Sequence, residues 1–333
     1  MQYLSIMGIQ HLNTYFKKNA GKNSIKKLHF KALANKIIAI DASIYLYRFL
    51  AEDCLLENIY SMVALMKYYK IVPIFIFDGK APVEKHKLLE KRNQDKLNAE
   101  KKYKELSKTL DNIQDTETKN EVQEYIYNLK RKFVRLKWSD VRAVQELLTA
   151  FGVSYLVADG EADELCASLV LKRRAYACLS EDMDLFLYCC PRVLRYLSLI
   201  NETIIMYDLN KILKDINLTL TEFKEICILS GTDYNYGSNC NITLYQTLGY
   251  FKQYKRFLEI NQSNNQDFYN WVDDKYKCIE NIYDLYNIFH MFRTDNIICP
   301  ALETIKKTNK IDMNAVKKIM KPLGFIFVDR EMI

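Results

Sequence analysis

Glycine and proline are scarce in this chain, nine and five among 333 residues. Few positions can break regular structure, so the chain should be rich in it. No apolar run exceeds the seven residues of Ile71–Phe77, against the ~20 that a membrane-spanning helix needs. No basic start leads into an apolar stretch at the amino end, so nothing suggests secretion. The nine cysteines form no CxxC pair, and His11, His29, His86 and His290 are scattered. Free thiols in a reducing, intracellular compartment are therefore favoured over a disulfide framework or a zinc site.

What is present is a chain 49% hydrophobic and 27% charged. That suffices for one large core or two modest ones and excludes a disordered tail. The net charge of +7 is unevenly placed: Lys80–Arg142 holds 17 basic residues against 11 acidic ones. Inside it, Lys80–Lys104 carries nine positive and four negative residues, and Lys130–Arg142 carries six and one. The stretch between them, Glu105–Leu129, is acidic. Two basic limbs around an acidic middle predict a helical excursion from the core, either a solvated helix pair or a surface for phosphates.

Short β-branched and aromatic runs alternate with helical stretches, which predicts an α/β fold with a mostly parallel central sheet flanked by helices. Strands are expected at Lys36–Ile40, Pro73–Phe77, Ser154–Val157, Tyr176–Leu179, Val193–Leu197 and Thr203–Met206. Helices are expected at Ile44–Glu52, Asn58–Lys70, Glu84–Leu110, Val141–Phe151 and Glu161–Lys172, and the chain beyond Asp208 reads as helical, most clearly at Thr221–Leu229. The polar run Asn261–Gln266 reads as a surface loop.

Acids fall just after four of these strands. Asp41 follows Ile38-Ala-Ile, Asp78 follows Ile74-Phe-Ile-Phe, Glu161, Asp163 and Glu164 follow Ser154–Val157, and Asp182 and Asp184 follow Tyr176–Leu179. Each alone could cap a helix or sit in a first turn. In a doubly wound sheet, however, ligands bind outside the carboxyl ends of the strands, so the acids would converge. Crowded carboxylates repel, and hard divalent cations, Mg²⁺ or Mn²⁺, are their natural partners.

Six blocks occur in order: Met7-Gly-Ile-Gln-His-Leu, Asp41-Ala-Ser, Phe77-Asp-Gly-Lys, Gly160-Glu-Ala-Asp-Glu-Leu-Cys-Ala, Ser180-Glu-Asp-Met-Asp and Gly231-Thr-Asp-Tyr. Over residues 7–235 the chain resembles the XPG-type structure-specific nucleases, flap endonucleases above all. The resemblance implies a PIN-like α/β nuclease core with a helical arch and a helical C-terminal part. It divides the chain into an N-terminal nuclease region at 7–79, a basic arch at 80–140, the remainder of the core at 141–235 and a divergent helical region at 236–333. It implies two Mg²⁺ ions, replaceable by Mn²⁺, held by Asp41, Asp78, Glu161, Asp163, Asp182, Asp184 and Asp233. Asp163 stands where the family usually has Glu. Lys85 and Arg92, seven residues apart and hence on one helix face, would contact the scissile phosphate. Tyr47 would stack on a nucleotide beside the cleavage point, or else sit in the core. Gly8 would lie near the active site, with Met1–Ile6 either preceding the true start at Met7 or crowding the entrance. Lys130, Arg131 and Lys132 would bind nucleic acid, while the acidic middle at 111–124 stays off it.

One departure follows Asp233, where Tyr236-Gly-Ser-Asn-Cys-Asn-Ile-Thr-Leu-Tyr lacks the family's repeated glycines. No organised monovalent-cation site is expected there. No Gln-x-x-(Leu/Ile)-x-x-Phe-Phe segment for a sliding clamp is found. The expected function is a metal-dependent 5′ nuclease, monomeric and nuclear, cutting DNA with a flap, a branch or a free 5′ end in replication, repair or recombination. A divergent viral or parasite member, acting in a host nucleus if virus-encoded, would fit the losses and the Lys-, Ile-, Asn- and Tyr-rich composition. The alternatives are a related nuclease cutting RNA, and an inactive nucleic-acid-binding scaffold.

Overall fold

A computed structural model describes residues 9–110, 116–235, 242–261, 266–295, 297–299 and 310–327. Its centre is a sheet of seven strands: β1 (Ile25–His29), β2 (Ile37–Asp41), β3 (Val72–Phe77), β4 (Ser154–Val157), β5 (Ala177–Leu179), β6 (Arg192–Ser198) and β7 (Thr203–Asp208). Their order across the sheet is β1-β7-β6-β5-β2-β3-β4. From β6 to β4 every pairing is parallel, while β7 and β1 extend the sheet antiparallel. After β3 and β4 are laid on one side of β2, the chain crosses to place β5 on the other side. That reversal opens a crevice at the carboxyl ends of the strands, the place where such sheets take ligands.

Both faces of the sheet are covered, which is why its strands are near-continuous apolar runs. Alternate residues serve opposite faces. Ala39, Ile74, Ile76, Cys178 and Val193 pack with α1 (Leu12–Asn19), α7 (Ala162–Leu171), α8 (Leu209–Asp215) and α9 (Leu220–Leu229). Ile38, Ile40, Phe75, Phe77, Leu179 and Leu194 pack with α2 (Ala42–Ala51), α3 (Leu55–Tyr68) and α6 (Trp138–Ala150). The first core continues into α10 (Leu244–Ile260), α11 (Phe268–Tyr276) and α12 (Ile282–Met291). The second is closed by α13 (Met313–Met320), whose Val316 and Met320 are fully buried.

Between β3 and α6 the chain leaves the core as α4 (His86–Thr109) and α5 (Thr116–Lys132), which pack on each other. The 24 residues of α4 make it about 36 Å long. The expected strands all occur, displaced by no more than two residues at either end. Two elements were not expected: β1, whose Lys26 and Lys27 hide the strand pattern, and α1. The helix expected from Glu84 starts later. Pro82 is extended, Val83–Lys85 is a 3-10 turn and α4 begins at His86. The eight described cysteines are free. Gly8, residues 111–115, most of Tyr236–Tyr245 and the centre of Asn261–Gln266 lie outside the described residues.

Candidate active site

Asp41 is the last residue of β2 and shares the strand parity of Ala39, so it faces α7. It is 4% exposed and accepts a hydrogen bond from Ser180 Oγ at 2.8 Å. Asp78 follows β3, where Ser43 Oγ donates to it at 2.5 Å and the Ala162 amide, the first of α7, donates at 2.8 Å. A carboxylate at a helix N-terminus is favoured by the helix dipole, so Asp78 and α7 hold each other in place.

The loops after β3 and β4 are zipped together. Gly79 donates its amide to Gly160 O at 2.8 Å and Lys80 donates to Asp159 O at 3.2 Å. Glycine is required here, since a Cβ on Gly79 would stand 2.0 Å from the Ala158 carbonyl oxygen. The zip carries Glu161, at the start of α7, and Asp163, in its first turn, toward Asp78. After β5, the Asp182 amide donates to Ser180 Oγ at 3.1 Å and the Asp184 amide to Asp182 Oδ1 at 2.9 Å. Both aspartates are buried, with Asp184 only 2% exposed. Asp233 arrives from the helical part: past α9, Gly231 takes a φ of +102°, a region open to glycine. Asn235 closes the turn by accepting from the Thr232 amide and donating to Ile228 O.

The acids raise one another. Burial first, then Asp78 and Asp182, push Asp41 up to about 8 against the pull of Ser180. Burial and neighbouring carboxylates likewise lift Asp163, Asp182 and Asp184 above the usual carboxylate range. Two cations enter the cluster. Lys85, 6% exposed, places Nζ 2.8 Å from Glu161 Oε2 and 3.7 Å from Asp233 Oδ2, and 4.8 Å from the centre of the Tyr234 ring. Burial alone would lower its pKa, but Glu161, Asp184 and Asp233 more than offset this, so the ammonium is held. Arg92 donates to Asp233 Oδ2 at 2.9 Å. Lys85 and Arg92 therefore meet at one carboxylate, although Lys85 precedes α4 and is not two turns along it as the spacing predicted.

Even so, Asp163 Oδ1 and both carboxylate oxygens of Asp184 are buried without a hydrogen-bond partner. A buried unpaired carboxylate oxygen is costly, and oxygens of this kind are what a hard divalent cation takes. The donor set thus fits Mg²⁺, although among the described residues no three acids already close on one point as a ready-made ligand group.

The other expected residues divide. Tyr47 is not a core residue: it is 39% exposed, with Lys96 Nζ standing 4.9 Å over its ring, while Tyr45 is the fully buried tyrosine of α2. Lys130 and Arg131 lie on α5 away from the acids and are already paired, Lys130 with Asp53 at 2.6 Å and Arg131 with Glu52 at 3.8 Å. Lys132 is exposed beside them. Sequence reasoning missed Tyr234, which donates to Glu161 Oε2 at 2.8 Å and shares a hydrogen bond with Tyr188. It also missed Ser43 and Ser180 as supports of Asp78 and Asp41. The signal was there, since all three lie inside the motif blocks.

Family models match the chain in two places. The XPG N-terminal domain matches residues 7–99 and the XPG I-region residues 152–233, together more than half of it. Flap endonuclease 1 of Saccharomyces cerevisiae is 29% identical over 284 residues, covering 78% of this chain and 70% of the relative. That of Methanococcus aeolicus is 28% identical over 300 residues, covering 85% and 81%. The fold is shared with the catalytic core of Rad2 solved in complex with DNA substrate (TM-score 0.65, 18% identity, 96% of each chain). It is shared too with flap endonuclease-1 from Methanococcus jannaschii (TM-score 0.60, 22% identity, 95% of this chain and 93% of the other). Motif order, sheet topology and these matches agree: the chain belongs to the XPG family of nucleases.

Proposed function

We propose that this protein is a structure-specific 5′ nuclease that hydrolyses phosphodiester bonds in flap or branched DNA with the help of two Mg²⁺ ions. The observation that carries the reading is the meeting of acids from five separate segments at one sheet edge, with unpartnered oxygens on Asp163 and Asp184 and with Lys85 and Arg92 inserted among them. The substrate class is supported by relatives named flap endonuclease 1 and by fold neighbours solved with DNA substrate and with Holliday junction DNA.

Asp41, Asp78, Glu161, Asp163, Asp182, Asp184 and Asp233 would hold the cations. Bound there, divalent cations supply the Lewis acidity that makes water a competent nucleophile and stabilises the leaving oxygen. Lys85 and Arg92 would meet the scissile phosphate, exchanging their present carboxylate partners for charge that develops during displacement. Tyr234 holds Glu161 while Lys85 turns to the phosphate. Tyr47, open to solvent beside Asp78, would stack on the base next to the cleaved bond. In this reading residues 7–79 and 141–235 form the nuclease core, 80–140 the arch and 236–333 the helical C-terminal region. The protein would work as a monomer and with the genome, in a nucleus; no described helix is long and apolar enough to cross a membrane.

The test is a panel of labelled substrates in Mg²⁺: 5′-flap DNA, the same flap with a blocked 5′ end, duplex DNA and single-stranded RNA. Preferred cleavage of the free flap, abolished by EDTA, is expected. Preferred cleavage of RNA would move the substrate class, and inertness on every member would leave only a binding scaffold.

A further inference from the structure

The chain has two tryptophans, and the structure treats them oppositely. Trp271 is 5% exposed and packs among Tyr254, Phe257 and Tyr276. Trp138, the first residue of α6, is 72% exposed. An indole left in water forgoes one of the largest apolar burials a side chain can make. α6 does not need it, since the helix is anchored by Val144, Leu147 and Leu148.

Its neighbours are cationic. Lys137 precedes it, Arg142 follows one turn later on the same face, and Arg135 lies three residues before; all are exposed. The nearby acid, Asp140, is engaged by the Lys137 amide at 2.9 Å.

Topology sets where this patch lies. α6 leads through three residues into β4 and runs antiparallel to it, so its first turn lies toward the carboxyl edge of the sheet. Thirteen helical residues span about 20 Å, longer than the four-residue strand, about 13 Å, so Trp138 overshoots that edge. The last residue of β4, Val157, is the register partner of Phe77, one residue before Asp78. Side chains bridge the interval. Arg135 pairs with Glu100 of α4 at 3.3 Å. Lys96, one turn earlier on α4, is held below the usual lysine range by burial first and then by Arg135 and Arg92, and it stands over the Tyr47 ring.

We propose that Trp138 is a base-stacking platform for an unpaired strand of the substrate, with Lys137 and Arg142 taking that strand's phosphates. The occupant follows from the chemistry. A flat π-face beside cations matches a single strand, whose bases are free to stack and whose phosphates are regularly spaced. A duplex offers no free base faces, and a protein partner would need apolar neighbours where this surface has Lys137 and Ser139. The proposal rests on the nuclease reading for the identity of its ligand and extends it by naming where the unpaired segment runs. Tyr47 would then grip the strand beside the acids and Trp138 farther out.

Tryptophan emission reads the contact directly, because buried Trp271 supplies a constant background. In Ca²⁺, oligo(dT) and oligo(rU) are each titrated into the full chain, alongside 5′-flap DNA and a fully paired duplex. Saturable quenching by the single strands and the flap, absent with the duplex and absent in Trp138→Phe, is expected. Trp138→Ala should weaken flap binding, followed by anisotropy, roughly 5- to 150-fold, the span of one base–aromatic stack. It should leave duplex binding unchanged, and Trp138→Phe should restore most of the loss. Quenching by only one oligonucleotide supports the platform and identifies whether DNA or RNA is its strand. Tight flap binding with unchanged emission, equal in Trp138→Ala, overturns the platform while the nuclease reading stands. Absence of binding to every nucleic acid overturns both.

Discussion

At the carboxyl edge of the sheet, Asp41, Asp163, Asp182 and Asp184 are pressed together out of water, and three of their oxygens have no partner. Along α4 and α5 the opposite holds. Lys91 bonds Asp95, Lys104 and Arg135 both reach Glu100, and Lys130 and Arg131 reach across to Asp53 and Glu52. Counted in the sequence, one region is a handful of acids and the other most of the chain's basic surplus. In three dimensions the acids remain available, with Lys85 and Arg92 the cations seen among them within the described residues, while much of the basic charge is already matched. The first arrangement is costly until a cation arrives. The second is a set of surface pairs, each contributing about 0–1 kcal/mol. Net charge thus says little about which charges can do work, and burial says a great deal.

The largest effect should come from breaking the acid edge. Asp182→Asn with Asp184→Asn should lower cleavage in Mg²⁺ by on the order of 10³-fold or more, while flap binding is kept. The same double variant should melt at a higher temperature than the parent in EDTA, since a buried, mutually repelling pair of charges is gone. Near-normal turnover would sink the two-cation reading, and a lower Tm would contradict the strain assigned to the edge.

Next come the two cations inside it. Lys85→Ala and Arg92→Ala should each slow single-turnover cleavage roughly 100- to 1000-fold, ~3–4 kcal/mol of transition-state stabilisation. They should differ in EDTA. Removing buried Lys85 takes the cation from Glu161 and leaves Asp233 with Arg92 as its cation, and should lower Tm clearly, whereas removing the more exposed Arg92 should lower it less. Equal Tm losses would show that the burial difference does not matter.

A half-buried acid away from the edge sharpens the contrast through pH. Burial, then Asp267 and Glu222, push Glu225 up to about 7 from an ordinary 4.5. The folded protein keeps this proton where the unfolded chain has released it, so stability from this group is lost as pH rises from about 4.5 to about 7 and is flat above. Glu225→Gln should therefore gain in Tm over the parent across that window and show no further gain beyond it. A constant difference at all pH values would assign the effect to packing.

The smallest effect is expected on the arch. Lys130→Ala with Arg131→Ala should change stability by no more than about 1 kcal/mol per pair lost. It should leave the salt dependence of flap binding unchanged. A log–log slope shallower by about 0.9 per residue would mean that both leave Asp53 and Glu52 for phosphates, and the comparison drawn above would fail for α5.

The sheet was legible because its strands are apolar on both faces, and the edge because acids end those strands in order. Asp233 was legible through the resemblance alone, since no strand precedes it. Lys85 was not legible as a buried group: within a run of lysines it resembles its exposed neighbours, and only the three acids around it show why it is withdrawn. The pairing of Lys130 was hidden for another reason, since Asp53 lies 77 residues away. β1 was missed because Lys26 and Lys27 interrupt it, and its place at the end of the sheet, bonded among the described strands to β7 alone, is what tolerates them.

Asp78 and Glu161 come from distant parts of the chain, and the closeness of their two loops depends on Gly79. A methyl group at that position would meet the Ala158 oxygen at well under contact distance. The loops could make room only by parting, and Asp78 would then lose its hold on the first amide of α7. The spacing of half the acid edge is therefore gauged by a single hydrogen atom, at a residue that neither binds nor reacts.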